Sequence, residues 1–114
     1  MRRIFIAIVF SLIPSMALAH TKVISSVPMA GSVQKAVLSQ IDIKFDEPFV
    51  LALIKLTENS TGFNKIYRNK NPDHMTDHQV SIEPLPTGQF VLEWRGLAED
   101  GHVISGMFEF SVTN

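Results

Sequence analysis

The residues with the clearest chemical capacity are the acid and histidine of Asp100-Gly101-His102 and the histidine at position 20. In extended backbone, positions two apart point to the same side, so Asp100 and His102 can converge on one point, and Gly101 between them adds no steric obstruction. A carboxylate and an imidazole placed this way can share a ligand. His20 directly follows Ala17-Leu18-Ala19, an A-x-A cleavage pattern that closes a leader made of Met1-Arg2-Arg3 and the apolar run Ile4 to Ile13. Cleavage after Ala19 would make His20 the mature N-terminus. Its free α-amine and its imidazole could then close a chelate ring on a divalent metal.

Together the amine, the His20 imidazole, the His102 imidazole and the Asp100 carboxylate form an N,N,N,O donor set. Nitrogen-rich tetragonal sites favour Cu(II), which also binds most tightly in the divalent series, and the absence of sulfur argues against a soft Cu(I) site. Zinc is the rival, since imidazole and carboxylate serve it equally well in tetrahedral geometry. Taken by itself, Asp-Gly is also a common turn dipeptide, so the tripeptide gains its meaning from His20.

The leader is expected to be removed rather than retained as an anchor, because its apolar run is shorter than the about 20 residues that span a bilayer. Residues 1–19 carry two arginines and no acid, so the mature 95 residues hold eight Lys and Arg against eleven Asp and Glu, a formal charge of −3. That balance disfavours nucleic acid, whose phosphates require a basic footprint. With no cysteine in an exported chain, neither a thiolate metal site nor a disulfide is available, and stability must come from packing.

The elements that must position the site are read from a period of two. Ile41, Ile43 and Phe45 alternate with Asp42, Lys44 and Asp46; Phe90, Leu92 and Trp94 with Val91, Glu93 and Arg95; and Phe108, Phe110 and Val112 with Glu109, Ser111 and Thr113. Further strands are expected at 23–26, 50–57, 64–67 and 80–83, separated by clusters such as Pro28-Met29-Ala30-Gly31 and Pro86-Thr87-Gly88. About seven short strands with frequent turns predict an all-β antiparallel sandwich as a single domain over 20–114. The polar stretch from Arg68 to His78, with Pro72, reads as a long loop. Asp100-Gly101-His102 opens the last strand and so projects from one end of the sandwich.

At this point four blocks resemble the CopC-type periplasmic copper-resistance proteins. The stretch from His20 through Ser25-Ser26-Val27-Pro28-Met29-Ala30-Gly31-Ser32 is similar to the family's mature start, and Ile41-Asp42-Ile43-Lys44-Phe45-Asp46-Glu47-Pro48 to its next strand. Leu85 to Arg95 is similar to its tryptophan strand. Asp100-Gly101-His102-Val103-Ile104-Ser105-Gly106-Met107-Phe108-Glu109-Phe110-Ser111-Val112 resembles its closing D-G-H-x-x-S-G-x-F-x-F-x-V signature. The resemblance implies an immunoglobulin-like Greek-key β-sandwich in the periplasm that holds copper as Cu(II) through His20, Asp100 and His102. It also implies a role in copper resistance, buffering or delivery to a CopD-type inner-membrane copper transporter.

Some family members carry a methionine-rich Cu(I) loop at the other end of the sandwich; here 50–67 contains neither methionine nor histidine, so that site is expected to be missing. His74-Met75-Thr76-Asp77-His78 is the one nearby soft cluster, and its place in the polar stretch predicts solvated side chains rather than a second metal site. Met29 and Met107 read as core or turn fillers. Trp94 and Phe90 read as core rather than as a ligand-stacking surface. Asp42, Asp46, Glu47 and Glu58 would form a calcium site only if a loop gathered them. No catalytic residue is assigned. A histidine-brace monooxygenase shares the amine and two imidazoles, but the mature chain has one Trp and one Tyr, too few for a polysaccharide-binding face, and Asp100 would fill a position that oxygen needs. A metal-free interaction module would leave His20 a coincidence.

Overall fold

The computed structural model describes residues 21–35 and 38–113, so the expected leader and His20 lie outside the described residues. The described chain is built from strands: β1 (Val23–Val27), β2 (Val33–Gln34), β3 (Gln40–Glu58), β4 (Phe63–Arg68), β5 (Met75–Ser81), β6 (Gly88–Ala98) and β7 (Val103–Val112).

β3 holds the two layers together. Its first half pairs antiparallel with β1 and β5, through Ile43↔Ser26 and Ile43↔His78, while its second half pairs antiparallel with β4 and β6, through Ile54↔Tyr67 and Ile54↔Trp94. β6 then pairs with β7, and β2 adds a parallel edge beside β7 through Val33↔Ser111. The layers face each other across an aromatic core. Phe45, from the first half of β3, meets Trp94 of β6 edge-on at 5.0 Å between ring centroids, and Phe90 stacks on Phe110 at 5.6 Å. Such offset and edge-on pairs add to the burial of their apolar area. Ile41, Ile43, Leu51, Ile54, Leu56, Leu92 and Val112 complete a buried cluster that replaces the disulfide this chain cannot form.

The alternation along β3 changes phase, and the pairing explains it. Leu51 faces Gly96 but Leu53 faces Arg95, so two steps on β3 match one on β6. The extra residue is a β-bulge, and it moves the buried set from Phe49 and Leu51 to Ile54 and Leu56. Gly96 lies against this bulge, where a Cβ would sit 1.9 Å from the Val50 carbonyl oxygen.

Four expectations are corrected. The segments 41–46 and 50–57 form one strand rather than two, because the chain stays extended through Glu47-Pro48 while changing partners. β2 is too short to show alternation and was not expected; its pairing with β7 is parallel within an otherwise antiparallel fold. The long loop shrinks to 69–74, since β5 starts at Met75 and takes its register from β3. Met107, read as a core or turn filler, is exposed within β7, whereas Met29 does sit in the turn between β1 and β2, exposed.

Candidate metal centre

The hairpin joining β6 to β7 is a tight turn. Gly101 N–H donates to the Ala98 carbonyl oxygen at 3.0 Å, and Ala98 N–H donates to the His102 carbonyl oxygen at 3.0 Å. Gly101 sits at φ +85°, a left-handed conformation that a residue without Cβ adopts freely. This bend presents Asp100 and His102 to solvent together, with side chains 56% and 78% exposed.

The two side chains meet. One Asp100 oxygen accepts the His102 backbone N–H at 3.0 Å, and the other lies 2.8 Å from His102 Nδ1. Because a carboxylate only accepts, Nδ1 carries the hydrogen, which leaves Nε2 as the lone-pair nitrogen turned away from the acid. A carboxylate that orients an imidazole in this way is the usual arrangement around a metal-bound histidine. Each Asp100 oxygen also retains a second lone pair. The His102 backbone N–H, and then its ring, hold the Asp100 carboxyl below the usual carboxylate range, so it is ionised at neutral pH.

The start of the described chain is fixed near the same end. Lys22 N–H donates to the Asp46 carboxylate at 2.8 Å, and Asp46 N–H donates back to the Lys22 carbonyl oxygen at 2.9 Å. This continues the β1–β3 register one step beyond Val23↔Phe45, toward the corner of β3. Three residues after Asp46, Phe49 pairs with Ala98, the base of the Asp100–His102 hairpin. The corner 46–49 thus lies between the chain's entry and the hairpin. Among the described residues no third His, Cys, Asp or Glu joins Asp100 and His102 in a metal-holding group.

The soft cluster divides. Met75 is partly exposed and His74 exposed, as expected, but His78 is not solvated: it is 3% exposed, within β5 and against Phe45. Its place opposite Ile43 in the β3–β5 ladder turns it inward, a constraint that a polar local sequence does not reveal. Trp94 and Phe90 are core, as read. Of the four acids weighed for calcium, Asp46 serves the chain entry. Glu58 is buried at the opposite end of β3, where its oxygens accept hydrogen bonds from Ser60 and Thr61, from backbone and hydroxyl alike.

The chain is thus a two-layer strand sandwich with an oriented acid–histidine pair on an end hairpin. Residues 23–113 match the CopC domain, and the chain belongs to that family. It is 30% identical to Copper resistance protein C of Pseudomonas syringae pv. tomato, over 89% of this chain and 86% of that one, and 29% identical to Copper resistance protein C of Escherichia coli, over 84% and 83%. It is also 26% identical to Copper transport protein CutJ of Bacillus subtilis (strain 168) over 88% of this chain, yet it spans only 19% of that much longer relative. The crystal structure of PcoC, a methionine-rich copper resistance protein from Escherichia coli, superposes with a TM-score of 0.62 at 25% identity, covering 83% of this chain and all of that one. CopC from Methylosinus trichosporium OB3b shares the fold, with a TM-score of 0.60 at 22% identity over 82% of this chain and 93% of that one. The names these relatives carry are those of resistance and transport proteins; none is an enzyme's.

Proposed function

We propose that the processed protein is a periplasmic copper carrier that holds one Cu(II) at the end of the sandwich through the α-amine and imidazole of His20, the imidazole of His102 and the carboxylate of Asp100. The observation that carries the reading is that the hairpin whose base pairs with the corner of β3 brings Asp100 and His102 together; the carboxylate here holds His102 Nδ1, and for both residues to bind one ion that contact gives way to the metal. The copper-related names of the relatives support the choice of metal. Lys22 is tied to the start of that corner, and His20 lies two residues from Lys22, within a chain reach of about 7 Å. The donors fit a borderline ion that prefers nitrogen over a soft one.

Copper is cargo in this reading. CutJ, a copper transport protein, carries the matching domain within a longer chain, which supports delivery to a membrane transporter of the CopD type after the leader is removed. Processed protein beginning at His20 is expected to bind one Cu(II) with nitrogen hyperfine coupling in its electron paramagnetic resonance spectrum, and to show no oxygen-consuming turnover with a reductant. Stoichiometric preference for zinc, or a spectrum without nitrogen coupling, would overturn the copper assignment; turnover would favour the brace-type enzyme instead.

A further inference from the structure

β3 and β5 fall out of step beside the proposed site. From Lys44↔Asp77 to Phe49↔Met75 the pairing advances five residues along β3 but only two along β5, so three residues of β3 are surplus. The surplus projects as the corner between the chain's entry at Asp46 and the hairpin base at Ala98. Pro48 within it has no N–H to offer any ladder. Carbonyls at such an irregularity lose their regular donors, and leaving one buried without a partner is costly.

His78 supplies the missing donor. Its Nε2 lies 2.8 Å from the Phe49 carbonyl oxygen and 2.9 Å from the Met75 carbonyl oxygen. Carbonyl oxygens only accept, so Nε2 carries the hydrogen and shares it between both strands. The ring is wedged edge-on against Phe45 at 5.7 Å, and Phe45 packs on Phe49 at 4.5 Å. One buried imidazole therefore clamps the two ends of the mismatch across the corner. We propose that His78 is a positioning residue for copper: without touching the metal, it fixes the corner of β3 and so the distance between the His20 side and the Asp100–His102 side of the site.

The inference rests on the copper reading above, and its test separates the two. Processed wild type, His102→Ala, His78→Phe and His78→Gln are titrated with Cu(II) against a chelator, with far-ultraviolet circular dichroism and Trp94 emission as checks of folding. Phe fills the space but cannot donate; Gln is shorter but keeps an N–H. A folded His78→Phe is expected to bind Cu(II) at least tenfold more weakly, with altered paramagnetic resonance parameters, and His78→Gln to recover most of the loss. A folded His78→Phe with wild-type affinity and spectrum overturns the role of His78 while leaving the copper site intact. Wild-type affinity in His102→Ala sinks the copper reading, and this inference with it. Should His78→Phe not fold, hydrogen exchange of the wild type decides: amides in 45–49 and 75–78 are expected to exchange more slowly once Cu(II) is bound, and unchanged exchange there overturns the proposal.

Discussion

At the scale of single residues, the Asp100–His102 contact leads to an ordering of mutational effects. His102→Ala removes a nitrogen donor and should weaken Cu(II) binding by orders of magnitude, whereas Asp100→Asn leaves every nitrogen donor in place and loses one of two acceptor oxygens, and should cost less. Copper must displace protons from its amine and imidazole donors, which as free groups titrate near about 8 and about 6.5, so affinity should fall steeply from pH 8 to pH 5. Asp100 should add no slope in that window, because its carboxyl is held below the usual carboxylate range and stays ionised throughout. Competition titrations across pH on the wild type and both variants check this; a larger loss in Asp100→Asn than in His102→Ala would contradict the assigned donors.

Glu58 offers a second residue-scale prediction, remote from copper. The Ser60 hydroxyl, the Thr61 hydroxyl and the backbone N–H groups of both residues lower its pKa from 4.5 to about 2. A carboxyl depressed in the folded state stabilises the protein above its unfolded value, and that stabilisation is lost as pH falls from about 4.5 toward 2. Thermal melts should therefore place Glu58→Gln below the wild type at pH 7 and bring the two together near pH 2. A gap that persists at pH 2 would mean that Glu58 acts through packing rather than charge.

At the scale of elements, the bulge on β3 makes Gly96 a point of contact between backbones. Gly96→Ala forces a methyl group toward the Val50 carbonyl and the Phe49 ring. Overpacking of this kind costs about 1–3 kcal/mol or more, which for a domain of this size lowers Tm by roughly 5–20 °C. Calorimetry on the variant measures it, and an unchanged Tm would mean that the bulge yields. Alternation made β6, β7 and both halves of β3 legible, because a half-buried strand prints its period on the sequence. It could not reveal that the two halves are one strand. The phase change and the corner are set by partners distant in sequence, and a two-residue strand such as β2 prints no period at all.

At the scale of the whole molecule, the proposed site closes only when both ends of the chain contribute. An additional residue ahead of His20 turns its amine into an amide, so Cu(II) affinity should drop by orders of magnitude while the strand core and its melting temperature persist. Equal titrations for the processed and extended proteins would exclude the amine as a donor. Reduction should have a comparable effect. With no methionine or histidine in 50–67, Cu(I) finds no sulfur-rich site there, and the copper should pass readily to a Cu(I) chelator. Retention of reduced copper that is lost in His74→Ala or Met75→Ala would transfer the soft site to the start of β5.

By itself the sequence determined the all-β class, the core aromatics Phe45, Phe90, Trp94 and Phe110 and the Asp100–His102 pair, because strand period and a two-residue spacing are local properties written in consecutive side chains. The proposed terminal histidine rests on the sequence alone, through the leader pattern read in residues 1–19. Only the tertiary structure decided that Lys22 is anchored to Asp46, that Phe49 pairs at the base of the hairpin, and that His78 is buried beneath the corner between them. Those relations join residues tens of positions apart. They arise from register between strands, where the burial of Phe45, Phe49 and Trp94 outweighs the local polarity that marks His78 as a loop residue.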